Sequence, residues 1–176
     1  MKKLPTPAIK RLSIDEFKHA EKIPVIVILD NVRSQSNIGS VFRTSDAFRI
    51  EAVYLCGISA TPPSREIHKT ALGATESVEW CYFKSTLEAI TRLKEQNYHI
   101  IGVEQAEHGQ LIQHYVPVPG EKYGLILGNE VNGIDDKVMQ NCEACLEIPQ
   151  SGTKHSLNVS VAAGIILWEF YKHLHI

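Results

Sequence analysis

Six short, mostly apolar runs recur along this chain, and the stretches between them carry helical patterns. The runs are Val25–Leu29, Ala52–Cys56, Val78–Phe83, His99–Val103, Tyr123–Leu127 and Ala144–Ile148. Val25–Leu29 is aliphatic at every position, as in a strand buried on both faces. Between the runs, Asn37 can cap a helix reaching Phe48, with Val41, Phe42, Ser45 and Phe48 spaced along one face. Ser85-Thr86-Leu87-Glu88 has the form of a capping box and predicts a helix to Gln96. Ser13-Ile14-Asp15-Glu16 predicts another, opening a short helix before the first strand. Strands alternating with helices predict an α/β domain, its sheet mostly parallel and flanked by helices. A chain of 176 residues can form one such domain and bury a full core without metal or disulfide support. The expected division is a basic N-terminal extension with a short helix over 1–24 and the main domain over 25–176.

The last predicted helix, Leu157–Phe170, is unusual. Its apolar positions Val159, Val161, Ala162, Ala163, Ile165, Ile166, Leu167 and Trp168 go nearly all the way round at about 100° per residue. A helix apolar on every side must be covered on every side. The sheet can cover one face. A second copy of the chain is the simplest cover for the other, so a homodimer through this helix is expected; the N-terminal helix of the same chain is the alternative cover.

Composition narrows the class further. Hydrophobic residues at 44% and charged residues at 22% exclude a disordered chain. No apolar run reaches the ~18 residues a membrane span needs. The stretch Ile23–Leu29 is interrupted by Pro24 and lacks a cleavage-site pattern, unlike a signal peptide. Four cysteines are too few for a small disulfide scaffold. A cytoplasmic location and no membrane partner are therefore expected. A net charge of −2 excludes a basic nucleic-acid coat over the whole surface. Residues 1–24 nevertheless carry Lys2, Lys3, Lys10, Arg11, Lys18 and Lys22 against Asp15, Glu16 and Glu21. Such an arm can meet phosphates or simply solubilise the chain.

Polar groups cluster where three of the strands end, and open α/β sheets bind ligands at the carboxyl ends of their strands. Asp30–Arg43 follows the first strand and contains Arg33, Asn37, Gly39 and Arg43. Leu127-Gly128-Asn129-Glu130-Val131-Asn132-Gly133-Ile134 follows the fifth. Its two glycines allow a tight turn, and Glu130 can bind a hydroxyl, pair with an arginine or cap a helix. Ile148–Ser160 follows the sixth and leads into the apolar helix, with Gln150, His155, Ser156, Leu157 and Asn158 along it. Ser156 fits an N-cap. Cys142-Glu143-Ala144-Cys145 is a lone C-x-x-C whose second cysteine lies in a predicted strand, so a structural role is expected and no metal site.

Together these segments resemble the SpoU/TrmH-type RNA methyltransferases of the SPOUT superfamily, from about Pro24 to about Tyr171. Asn37, Gly39 and Arg43 have the spacing of that family's first motif. Gly128-Asn129-Glu130 matches the second, with Val131 where the family usually has glycine. Ile148-Pro149 and Ser156–Ala162 match the third, Ser-Leu-Asn-Val-Ser-x-Ala. Lys69 to Ala74 resembles the family's Lys-x-x-x-Gly-Ala stretch. The resemblance implies a C-terminal deep trefoil knot, S-adenosyl-L-methionine as cofactor, a homodimer, and methylation of a ribose 2′-hydroxyl in tRNA or rRNA. It implies a catalytic set of Asn37, Arg43, Glu130, Ser156 and Asn158. Cofactor contacts would come from Leu127, Gly128, Asn129, Ile148, Gln150, Ser156 and Leu157, largely through backbone groups. Arg33, Arg65 and Lys69, with Lys10 and Arg11 of the arm, would meet RNA. A non-catalytic RNA-binding assembly factor with a retained cofactor pocket is the rival reading. A flavodoxin-like nucleotide-binding module is a more distant one.

Overall fold

The structure is a computed structural model and describes residues 11–175. Lys10 lies outside the described residues. Among the described residues there are seven strands: β1 (Ile23–Asp30), β2 (Ile50–Cys56), β3 (Glu79–Phe83), β4 (Tyr98–Val103), β5 (Gln110–Leu111), β6 (Lys122–Leu127) and β7 (Ala144–Glu147). They form one sheet in the order β3-β2-β1-β6-β4-β7-β5. Every pairing is parallel. The six predicted strands are all found. The two-residue β5 is an addition; its Gln110 is exposed and it pairs only with β7, so it leaves no apolar run to read.

The helices are α1 (Ile14–His19), α2 (Gln35–Ala47), α3 (Arg65–Ala71), α4 (Ala74–Ser77), α5 (Thr86–Glu95), α6 (Asp136–Met139) and α7 (Val159–Leu174). Alternation along β1 separates two cores. Val25, Val27 and Leu29 pack with α1, α2 and α7 through Phe17, Phe42, Ile166 and Phe170. Ile26 and Ile28 pack with α5 and α6 through Ile90, Leu93 and Val138. The capping box at Ser13 forms as read: Ser13 N–H donates to Glu16 at 2.7 Å, and Glu16 N–H donates back at 3.2 Å. Phe17, buried in the first core, ties α1 to the domain, and β1 already starts at Ile23.

Two helix starts differ from the sequence reading. Ser34, not Asn37, caps α2, accepting from Asn37 N–H, so Asn37 lies in the first turn. Asn158, not Ser156, caps α7, accepting from Ser160 N–H at 2.9 Å. Both capping residues stand two or three positions before the N–H they satisfy, which is what a short side chain can reach. The apolar girdle of α7 is also covered on one side only. Val159, Ala163, Ile166, Leu167 and Phe170 are buried, while Val161 and Trp168 are each 50% exposed and Ile165 is 37%. Glycine is required where α2 meets α3: a Cβ on Gly39 would stand 2.1 Å from Thr70 Oγ1 and 2.3 Å from the Ile67 carbonyl oxygen.

Candidate active site

The sheet order places β1, β6, β4 and β7 side by side, so the loops leaving their carboxyl ends converge although they are far apart in sequence. Asp30, buried at the end of β1, fastens this end of the sheet. Its carboxylate accepts from the Thr86 hydroxyl at the start of α5, from Asn31 Nδ2 at 2.9 Å and from Asp135 N–H at 3.2 Å, just before α6.

Glu130 joins the second loop to the first. Oε2 accepts from Arg33 N–H at 3.0 Å, and Oε1 accepts from Ser34 N–H at 3.0 Å and Asn37 Nδ2 at 3.1 Å. The carboxylate thus meets the unpaired N–H groups at the start of α2, where the helix dipole also favours negative charge. Partial burial works to raise its pKa. The hydrogen bonds from Arg33, Ser34 and Asn37, with its own backbone N–H, together outweigh burial and hold Glu130 below the ordinary carboxylate value. The network then continues to the third loop. Asn158 Nδ2 donates to Asn37 Oδ1 at 3.1 Å, and Asn158 Oδ1 accepts from Ser160 N–H and, at 2.6 Å, from the Ser160 hydroxyl.

The second loop is closed by a backbone pair, Asn129 and Gly133, each donating to the other at 2.9 Å. Asn129 Nδ2 donates to the Asn31 carbonyl at 2.7 Å, and its Oδ1 accepts from Val131 N–H at 2.8 Å. Asn129 therefore builds the loop with its side chain and with both of its backbone groups. Val131 needs no glycine conformation; the positive φ of the loop, +68°, falls on Gly133. Gly128 has no room for a side chain, since a Cβ there would lie 2.2 Å from the Gly133 carbonyl carbon and 2.3 Å from Ile134 N.

Beneath these loops lies a cavity of about 770 Å³. Leu127, Gly128, Asn129, Glu130, Ile148, Gln150, Ser156, Leu157 and Asn158 all line it. Asn37 stands outside the lining and reaches it through Glu130 and Asn158. Arg43 is exposed further along α2, and its side chain forms no hydrogen bond or ion pair among the described residues. Glu130 thus holds the first loop and not Arg43. Arg33 is exposed beside the site, Arg65 and Lys69 are exposed on α3, and Arg11 is exposed before α1. Lys69 is paired with Glu66 at 2.7 Å.

Sequence reasoning missed a fourth contribution, from the end of β4. Val103, Glu104, Gln105 and Ala106 line the cavity. Glu104 accepts from Gln105 N–H at 2.9 Å and from Ile134 N–H at 3.3 Å, and Gln105 Nε2 donates to the His155 carbonyl at 2.9 Å. The signal was the same polar step after an apolar run that marked the other strand ends. The C-x-x-C pair is structural in character. Burial pushes the Cys142 thiol up to about 11 and raises Cys145 as well, so both stay protonated near neutral pH. Among the described residues no cluster of His, Cys, Asp or Glu is gathered to hold a metal ion, and no helix is long and apolar enough to cross a membrane.

Residues 24–168 match the model of the SpoU rRNA Methylase family. The chain is 29% identical to the 23S rRNA (guanosine-2′-O-)-methyltransferase RlmB of Neisseria meningitidis over 88% of its own length and 61% of that protein. It is 32% identical to the RlmB of Salmonella typhi, covering 83% of this chain and 59% of that one. The AdoMet-bound rRNA methyltransferase from Sinorhizobium meliloti superposes with a TM-score of 0.81 at 26% identity, over 90% of this chain and 59% of the other. This chain therefore spans about 60% of the length of these relatives.

Proposed function

This chain belongs to the SpoU rRNA methylase family, and on that premise we propose that it transfers a methyl group from S-adenosyl-L-methionine to a ribose 2′-hydroxyl in tRNA or rRNA. The observation that carries the proposal is the hydrogen-bonded chain Glu130–Asn37–Asn158, which joins three separate loops at a single cavity. The cavity suits the cofactor. Its volume is in the range of small-molecule sites, its walls include apolar Leu127, Ile148, Leu157 and Val159, and Gly128 exposes backbone groups at close range. Leu127, Gly128, Asn129, Ile148, Gln150, Ser156 and Leu157 would hold it. When bound, the cofactor supplies an electrophilic sulfonium methyl group.

The chain's own residues would position the acceptor. Both Glu130 oxygens already accept hydrogen bonds, so Glu130 orients Asn37 and the start of α2 and is a poor proton acceptor. Asn37, Ser156 and Asn158 would fix the ribose. Arg43 would reach in from the flank of α2 as a cation, anchoring the hydroxyl or a phosphate and stabilising alkoxide charge as it develops. A guanidinium with a pKa above ~12 serves better as an electrostatic anchor than as a base. Arg33, Arg65 and Lys69, with Lys10 and Arg11 of the 1–24 arm, would contact RNA phosphates. The 25–176 region would be the catalytic domain.

Two further features belong to this reading. We infer a homodimer through the exposed stripe of Val161, Ile165 and Trp168 on α7, an apolar face of the kind that subunits bury. We also infer a deep trefoil knot at the C-terminus. It rests on the family resemblance; in the sheet β7 lies beyond β4, and α7 packs back against α2 and β1.

The test is transfer of radiolabel from S-adenosylmethionine to unmodified total tRNA or rRNA, beside Arg43→Ala. Label recovered as 2′-O-methylnucleoside and lost in Arg43→Ala, with cofactor affinity kept within about twofold, is the expected result. Cofactor binding with no transfer to either pool would favour the assembly-factor reading. Failure to bind the cofactor would overturn the proposal.

A further inference from the structure

A second cavity, of about 570 Å³, shares no residue with the first. Pro62, Pro63, Arg65, His68, Glu76 and Trp80 give it its character. Trp80 is half-buried and packs against the main core, so its ring is held in place before any ligand arrives. The two prolines add rigid apolar wall. Arg65 and His68 are exposed at the rim, and Arg65 has no ion-pair partner among the described residues, whereas Lys69 is paired with Glu66. Glu76 adds an exposed carboxylate.

This mixture selects a narrow class of ligand. A purely apolar molecule would have no use for Arg65, His68 and Glu76, and a free phosphate would have none for Trp80 and the prolines. A planar base linked to a phosphate uses all of them: aromatic stacking, a cation for the phosphate, and a carboxylate for an exocyclic amine. The place in the fold agrees. Thr70 Oγ1 donates to the Ser36 carbonyl at 2.9 Å, and the Ser64 hydroxyl donates to Gln35 Oε1. Those bonds fix α3 to the first turn of α2, the turn that Glu130 holds from the other side. The cavity thus lies against α3, the helix fastened to that turn.

We propose that the Trp80 cavity receives an unpaired, amino-bearing base of the RNA near the methylated nucleotide, with its phosphate on Arg65; this rests on the RNA-methylation reading above. The site selects substrate by stacking and takes no part in methyl transfer.

The chain has two tryptophans, so Trp168→Phe leaves Trp80 as the only one to emit, and keeps an aromatic ring beside Phe48 and Tyr171. That protein is titrated with oligoadenylate and with oligouridylate octamers, and its methylation of total RNA is measured in parallel. Saturable quenching by oligoadenylate, several-fold weaker by oligouridylate and about tenfold weaker in Arg65→Ala, is expected. With tryptophan 168 intact, Trp80→Leu should raise the KM for RNA about tenfold, Trp80→Phe should restore most of it, and cofactor affinity should stay unchanged in both. No quenching in protein that still methylates RNA would overturn the cavity and leave the function standing. Emission that follows protein concentration without RNA would place a second copy there and overturn it equally. Quenching, with no methylation by the parent protein either, would support the cavity as a base site and sink the methylation reading.

Discussion

Gly128→Ala tests whether the second loop is as tightly closed as its geometry demands. The added Cβ would stand 2.2 Å from the Gly133 carbonyl carbon, 2.3 Å from Ile134 N and 2.6 Å from the Gly133 oxygen. Ordinary contact begins at 3.4 Å, so the two strands of the loop must separate by about 1.2 Å. All three neighbours are backbone, and no rotamer change relieves them. Nor can Gly133 retreat freely, because its own Cα faces Glu104 closely and Ile134 N–H donates to that carboxylate. Separation would stretch the paired 2.9 Å bonds between Asn129 and Gly133. Overpacking of this kind costs about 1–3 kcal/mol. In a chain of this size that is a fall in Tm of roughly 2–4 °C per kcal/mol. Because Gly128 also lines the cavity, cofactor affinity should fall at least about tenfold, while Gly152→Ala, with nothing within 4 Å of its added Cβ, should leave both unchanged. Thermal melts and isothermal titration with S-adenosylmethionine measure the two effects. A Gly128→Ala protein that melts and binds like the parent would refute the loop geometry, and with it the backbone-contact account of the cofactor site.

Glu130→Gln should destabilise by about 1 kcal/mol, because one oxygen facing an N–H donor becomes an NH₂ and the helix-start charge is lost, in a residue that water partly screens; chemical denaturation would show it. Ile165→Lys should shift a dimer to monomer by placing a charge in the exposed α7 stripe, read by light scattering, with the monomer still folded since the buried face of α7 is untouched. His99 lies between Glu143 at 2.7 Å and Glu121 at 3.2 Å. The Glu143 hydrogen bond, and then that of Glu121, raise its pKa against burial. Its stabilisation should be fully present below the unfolded value of about 6.5 and be lost as pH rises through the raised folded value, so His99→Gln should differ from the parent in mild acid and match it at alkaline pH. The difference should be a few tenths of a kcal/mol, as the three groups are largely exposed.

Strands were the most legible part of the fold because Val25–Leu29 and Tyr123–Leu127 are buried on both faces and carry that in every residue. The α7 helix was half legible. Its composition announced burial, but the sequence could not say that Val161, Ile165 and Trp168 would be left outward. The three site loops could be picked out as polar steps after strands; their meeting depends on sheet order, which no local pattern encodes. Ser34 took the cap expected of Asn37 because it sits three residues before an N–H it can reach, which frees the Asn37 amide for Glu130 and Asn158. Glu104 was passed over although the same polar step marks it, because its partner Ile134 lies in another loop that only the sheet order brings close.

The charge on Glu130 gives the site its direction. An ionised carboxylate can only accept, so the Asn37 amide must turn its NH₂ toward Glu130 and its oxygen toward Asn158. Asn158 must then present its own NH₂ to Asn37, which leaves its oxygen for Ser160 N–H and the Ser160 hydroxyl. One acid thereby fixes two amide orientations and the cap of α7 across loops that lie 93 and 121 residues apart. The same hydrogen bonds that depress the Glu130 pKa keep it ionised, so this order persists at neutral pH and fails only in acid. A site arranged in this way holds its side chains before substrate arrives, which a transfer governed by positioning requires.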